Sequence, residues 1–182
     1  MLSELKRSLR GANEPNPGYE FLLDEDSTEE MVSIHCEATT YNVASAQLRA
    51  LAAIPIRGNR ILMSRRLEVR HGAGEDWDGD IDRFLRLVGS RPLVGYYLTF
   101  TTAVLDKHIR RVAGISLPNP QVEVSGLYYD RKIKTSTKST VDLRLDSVLR
   151  DLDLPPRRIS TPFNDALASA LIYLKIQVPV RF

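Results

Sequence analysis

The feature that most constrains this chain is the order in which its hydrophobic periodicity changes. Val32, Ile34 and Cys36 recur at the period of two that lines one face of a β-strand. Two further apolar runs follow, Leu48 to Ile56 and Ile61 to Val69, separated by Arg57-Gly58-Asn59-Arg60. A Gly-Asn pair tolerates the positive φ angles of a tight turn, so the two runs are predicted to form a hairpin. The period then becomes helical: Ile81, Phe84, Leu85 and Val88 form a stripe that ends near Gly89. Residues 92 to 98 return to a strand, and Phe100 to Val112 places Val104, Leu105, Ile109 and Val112 at helical spacing. A further strand is predicted over Val122 to Leu127, and two helices over about Leu143 to Leu152 and Asn164 to Ile176. A strand and hairpin followed by alternating helices and strands predicts an α/β domain with a mixed central sheet flanked by helices.

The chain has 182 residues, 43% of them hydrophobic, which suits one domain with a substantial core. Residues 1–30 are expected to form an N-terminal helix, with Leu2, Leu5 and Leu9 on one face, and an acidic arm ending in Asp24-Glu25-Asp26-Ser27-Thr28-Glu29-Glu30. Residues 31–182 are expected to form the domain itself. The longest apolar stretches fall short of the roughly 18 to 20 residues needed to span a bilayer, and the N-terminus lacks the apolar run of a signal peptide. A membrane association is therefore not expected. The single cysteine, Cys36, permits no internal disulfide, fits a reducing cytoplasm and lies in an apolar run that predicts burial rather than nucleophilic work.

A net charge of +2 does not by itself point to nucleic acid, so local clusters must carry that argument. Two exist. Lys107, Arg110 and Arg111 share one helical face, and Arg131, Lys132 and Lys134 lie in the run Arg131-Lys132-Ile133-Lys134-Thr135-Ser136-Thr137-Lys138, expected to be a loop. Both could contact phosphates, but a solvated face and a mobile loop are the favoured reading, since no aromatic interleaves the basic run. Tyr96 and Tyr97, adjacent in a predicted strand, should face opposite sides. His71 and His108 read as ordinary surface residues.

Three segments carry a resemblance: Ile34-His35-Cys36-Glu37-Ala38-Thr39-Thr40, Leu93-Val94-Gly95-Tyr96-Tyr97-Leu98-Thr99-Phe100-Thr101, and Ser160-Thr161-Pro162-Phe163-Asn164-Asp165-Ala166. In order and framework they resemble the exonuclease motifs of the proofreading epsilon subunit of bacterial DNA polymerase III and its relatives, over roughly Val32 to Ile176. The resemblance implies a ribonuclease-H-like fold and removal of nucleotides from 3' ends with Mg²⁺ or Mn²⁺ as cofactor. It also implies four acidic metal ligands and a histidine base. Glu37 and Asp165 stand at two acid positions; His35 and Thr101 replace the other two acids, and Ser160 replaces the histidine.

Two-metal phosphodiester chemistry needs carboxylates around ions held about 4 Å apart, and hard cations need oxygen ligands. An imidazole and a hydroxyl in place of two carboxylates remove charge that such ions require, and serine has no suitable pKa for general-base work. The retained Glu37 and Asp165, with His35, form either a residual one-metal site or inherited acids that serve as hydrogen-bond acceptors and helix caps. The expected function is accordingly a protein that binds single-stranded nucleic acid with little or no nuclease activity and no functional cofactor. The alternatives are an interaction scaffold that binds a protein partner, and an active hydrolase using the modified site.

Overall fold

The computed structural model describes residues 14–72, 74–135 and 140–177. The predicted helix around Leu2, Leu5 and Leu9, and residues Ser136 to Lys138 of the basic run, lie outside them.

The central element is β1 (Glu30–Ala38), whose alternation sorts its side chains onto two faces. It pairs antiparallel with β2 (Leu48–Arg57) and parallel with β5 (Leu93–Gly95), which pairs parallel with β6 (Gln121–Glu123). The short β3 (Arg60–Ile61) and β4 (Leu67–Arg70) both pair antiparallel with β2, completing a mixed sheet in the order β3-β2-β1-β5-β6 with β4 beside β2.

Val32, Ile34 and Cys36 pack against helices α1 (Asp78–Val88) and α2 (Leu98–Ala113) on one face. The apolar stripe Ile81, Phe84, Leu85 and Val88 is fully buried there, each side chain contributing about 1.5–3 kcal/mol relative to exposure. Leu22, in the 3-10 turn Glu20–Leu23, joins the same core at 1% exposure. Helices α3 (Val124–Thr135), α4 (Leu145–Asp151) and α5 (Pro162–Gln177) enclose a second core with Ile56, Val94 and Tyr96. The small residues Ala166, Ala168, Ser169 and Ala170 of α5 are buried and allow a close approach to the sheet, so that the Ser33 hydroxyl donates to the Ala166 carbonyl at 2.7 Å. Among the described residues no helix is long and apolar enough to cross a membrane.

Four sequence expectations change. The second arm of the hairpin is not one strand: β3 ends after two residues, a 3-10 turn follows over Met63–Arg65, and β4 resumes the pairing. Pro55 accepts from the Leu62 N–H at 2.8 Å but has no N–H to return, so the ladder breaks there. The strand expected over residues 92 to 98 stops at Gly95, because an added Cβ there would stand 2.9 Å from Leu98 Cδ1 and 3.1 Å from the Ile34 carbonyl oxygen. That close approach suits glycine and brings the chain directly into α2. The strand expected over Val122 to Leu127 also stops early, at Glu123, whose carboxylate accepts from the Ser125 N–H at 3.2 Å and hydroxyl at 2.6 Å and turns the chain into α3. Consequently Arg131, Lys132 and Lys134 lie on α3, not in a loop.

Candidate functional site

The site lies at the carboxyl end of β1, where α5 begins. His35 and Glu37 point to the α5 side of the sheet, and Asp165 comes from the first turn of α5. His35 Nε2 lies 3.6 Å from Asp165 Oδ2, and the Ser160 hydroxyl donates to the same oxygen at 3.0 Å. Three of the five motif positions therefore meet, despite 130 residues of separation between His35 and Asp165.

The other two are placed differently. Glu37 is turned toward β4, where Arg70 donates to both carboxylate oxygens at 3.3 and 2.7 Å, and this hydrogen-bonded guanidinium holds the Glu37 carboxyl below its ordinary range. Thr101 is fully buried in α2 and its hydroxyl makes no hydrogen bond to any described residue. Its carbonyl lies 4.0 Å from the Cys36 sulfur, and burial pushes the Cys36 thiol up to about 12, which removes it as a nucleophile.

Arg157, which carried no signal in the sequence, dominates the site's electrostatics. Its Nη1 donates to Asp165 Oδ1 at 2.5 Å, while Nε and Nη2 donate to the two oxygens of Asp146 on α4 at 2.7 and 2.8 Å. The hydrogen bonds to Asp146 and Asp165 raise its pKa, outweighing the opposing effect of burial. The nearby imidazole responds in the opposite sense: burial lowers the His35 pKa, Asp165 raises it and Arg157 lowers it further, with burial winning.

The donor set His35, Glu37 and Asp165 does not fit a divalent ion. Both Asp165 oxygens are engaged, both Glu37 oxygens are engaged, and each carboxylate already has a guanidinium as counter-ion. Among the described residues no group of three or more His, Cys, Asp or Glu is gathered for metal ligation.

At the starts of α2 and α3 a groove of about 520 Å³ is lined by Val43, Tyr97, Thr99, Phe100, Ala103, Glu123 and Ser125. Tyr41, 92% exposed, packs its ring against Phe100 with centroids 5.6 Å apart. Tyr97, also exposed, has a left-handed backbone with φ 53°, held by Glu123, whose carboxylate accepts from the N–H groups of Tyr97 at 3.1 Å and Leu98 at 2.7 Å. Tyr96 is buried and its hydroxyl donates to the Leu143 carbonyl, but its ring packs edge-on against Tyr97 with centroids 5.3 Å apart; the strand ends at Gly95, so the alternation expected to separate the two tyrosines does not reach them.

Most of the expected basic contacts are engaged within the protein. Lys107 donates to the Ala46 carbonyl, Arg110 pairs with Asp106 at 2.7 Å, and Arg111 pairs with Asp76 at 3.0 Å and with Asp78. Arg131 donates to the Ile176 carbonyl at 3.0 Å and Lys132 pairs with Asp151 at 2.5 Å, while Lys134 is exposed in the last turn of α3. His71 is no idle surface residue, for it bridges Glu75 at 2.9 Å and Asp80 at 2.7 Å. His108 is half-buried, with an Nε2 that finds no partner among the described residues.

The sequence matches no protein-family model and no curated protein. Solved structures do share the fold. A structure of exonuclease I superposes with a TM-score of 0.68 at 11% identity, over 82% of this chain and 41% of that one. E. coli exonuclease I in complex with a dA13 oligonucleotide gives 0.61 at 12% identity over 82% and 40%, and a zinc-bound form of the E. coli exonuclease I complex with single-stranded DNA gives 0.57 at 12% over 82% and 39%. This chain thus spans about two fifths of those proteins. At such identity the likeness concerns architecture, and the architecture is the ribonuclease-H-like fold of exonuclease I.

Proposed function

We propose that this chain is a ribonuclease-H-like domain of the 3' to 5' exonuclease type that binds single-stranded nucleic acid and does not cleave it. The observation that carries the loss of chemistry is Arg157, seated between Asp146 and Asp165 where the exonuclease motifs call for a bound cation. A guanidinium satisfies the carboxylate but cannot activate water or polarise a phosphate as a metal does. His35, Thr101 and Ser160 remove the rest of the required charge and base.

Retained binding rests on the exposed ring of Tyr41, packed on the half-buried Phe100 that lines the groove. Stacking a base on such rings contributes about 1–3 kcal/mol without sequence preference. A protein segment is the alternative occupant, favoured by the fact that the one charged side chain lining the groove, Glu123, is an acid.

The test uses a labelled dT oligonucleotide. Incubation with the protein and Mg²⁺ or Mn²⁺ should leave it full length, while fluorescence anisotropy should show binding that Tyr41→Ala and Phe100→Ala each weaken by about tenfold. Shortening of the oligonucleotide, abolished by Glu37→Ala, overturns the non-catalytic reading. Absence of binding gives the groove to a protein partner.

A further inference from the structure

We propose that the sheet edge formed by residues 57–70 is a phosphate-binding strip that takes the backbone of a single-stranded nucleic acid, at a site separate from the groove. The proposal shares with the preceding reading only the class of ligand.

This stretch carries Arg57, Arg60, Arg65, Arg66 and Arg70 against a single acid of its own, Glu68, with Arg70 alone paired to Glu37 on β1. It builds β3, the 3-10 turn and β4, all on the outer side of β2. The charge on it is unbalanced. Arg57 lies 2.5 Å, Arg65 2.7 Å and Arg91 3.2 Å from the carboxylate of Glu30, so three guanidiniums share one negative charge. Burial pushes the Glu30 carboxyl up, but hydrogen bonds from Arg65 and Arg57 win and hold it below its ordinary range. Glu30 is buried, whereas the side chains of Arg57 and Arg65 are 61% and 41% exposed, so their remaining N–H groups face solvent.

Arg60 and Arg66 are exposed and have no acidic partner among the described residues. The Arg66 guanidinium is seated 5.4 Å over the ring of Phe163, at the start of α5, which restricts its orientation before any ligand arrives. Asp26 and Glu29, on the segment entering β1, make no ion pair with these arginines. Several arginines elsewhere are matched to nearby acids, as in Arg83 with Asp80, Arg86 with Asp82 and Arg144 with Asp142.

Arginine forks bind phosphate in two-point geometry, and a row of them along an extended edge suits a linear polyanion. Cationic residues also protect sheet edges from pairing with other chains. That role needs charge on the edge, but it does not call for three guanidiniums around one buried acid.

The experiment compares the full chain with the double variant Arg60→Gln, Arg66→Gln, neither residue being part of the His35–Asp165 cluster or the groove. Anisotropy is measured across a salt series with two probes, a labelled dT oligonucleotide and an abasic deoxyribose-phosphate strand of the same length. The wild type should bind the abasic strand with strong salt dependence. Each lost arginine should weaken it about fivefold at about 0.1 M salt and lower the slope of log affinity against log salt by about 0.7. Loss of dT affinity in Tyr41→Ala with unchanged abasic affinity assigns that loss to the groove and leaves the strip standing. An abasic slope unchanged in the double variant, or an abasic strand that the wild type does not bind, overturns the strip even where dT binding persists.

Discussion

Arg157 reaches Asp165 at 2.5 Å with one nitrogen and grips Asp146 with its other two, so one guanidinium ties α4 to the first turn of α5. The cluster is mostly enclosed, with side-chain exposure of 15% for Arg157 and 9% for Asp165. In such surroundings a charge pair is costly to break from one side only.

Arg157→Met should therefore destabilise the domain by about 3 kcal/mol, because it leaves Asp165 buried without a counter-ion. Adding Asp165→Asn should recover part of that loss, since the unpaired charge is removed. Urea denaturation of wild type, both single variants and the double variant checks the coupling.

Rebuilding nuclease motifs at His35, Thr101 and Ser160 alone should fail. The triple replacement His35→Asp, Thr101→Asp, Ser160→His still leaves Arg157 on Asp165 and Arg70 on Glu37. Mn²⁺ binding should appear only when Arg157→Ala and Arg70→Ala are added, because a divalent ion cannot share the carboxylates with two guanidiniums. Calorimetric titration of the three- and five-fold variants reads this directly. Tight Mn²⁺ binding by the triple variant contradicts it.

Stability should fall on both sides of the histidine range. Burial lowers the His35 pKa, so its folded value lies below the unfolded 6.5; its contribution is intact above 6.5 and is lost as pH falls through the folded value. His71 behaves oppositely. The hydrogen bond to Asp80 raises its pKa, so its contribution is intact below 6.5 and is lost as pH rises through the folded value. His35→Gln should flatten the acid limb of the melting temperature against pH, and His71→Gln the alkaline limb.

Glu123→Ala should cost about 1–2 kcal/mol, because one carboxylate caps the starts of α2 and α3 together. Glu123→Gln should retain part of the stability, since an amide oxygen still accepts from an N–H. Thermal melts separate the two variants, and equal losses from both would contradict the capping role.

The strand–helix order was legible in the sequence because periodicity is a local property: Val32, Ile34 and Cys36 bury one face of a strand, and Ile81, Phe84, Leu85 and Val88 bury one stripe of a helix, whatever lies across from them. The ends of elements were less legible. Gly95 and Glu123 stop their strands because of Ile34, Leu98 and the helix N–H groups that tertiary packing brings to them. The meeting of His35, Ser160 and Asp165 is foreshadowed by the motif order, since strand ends and helix starts share one rim. Arg157 and Arg70 are not, because an ion pair depends on which side chains the fold places within about 4 Å, and an arginine has no periodicity to announce its partner. The sequence alone thus determined the α/β architecture, whereas only the tertiary structure decided that Glu37 and Asp165 are neutralised by guanidiniums.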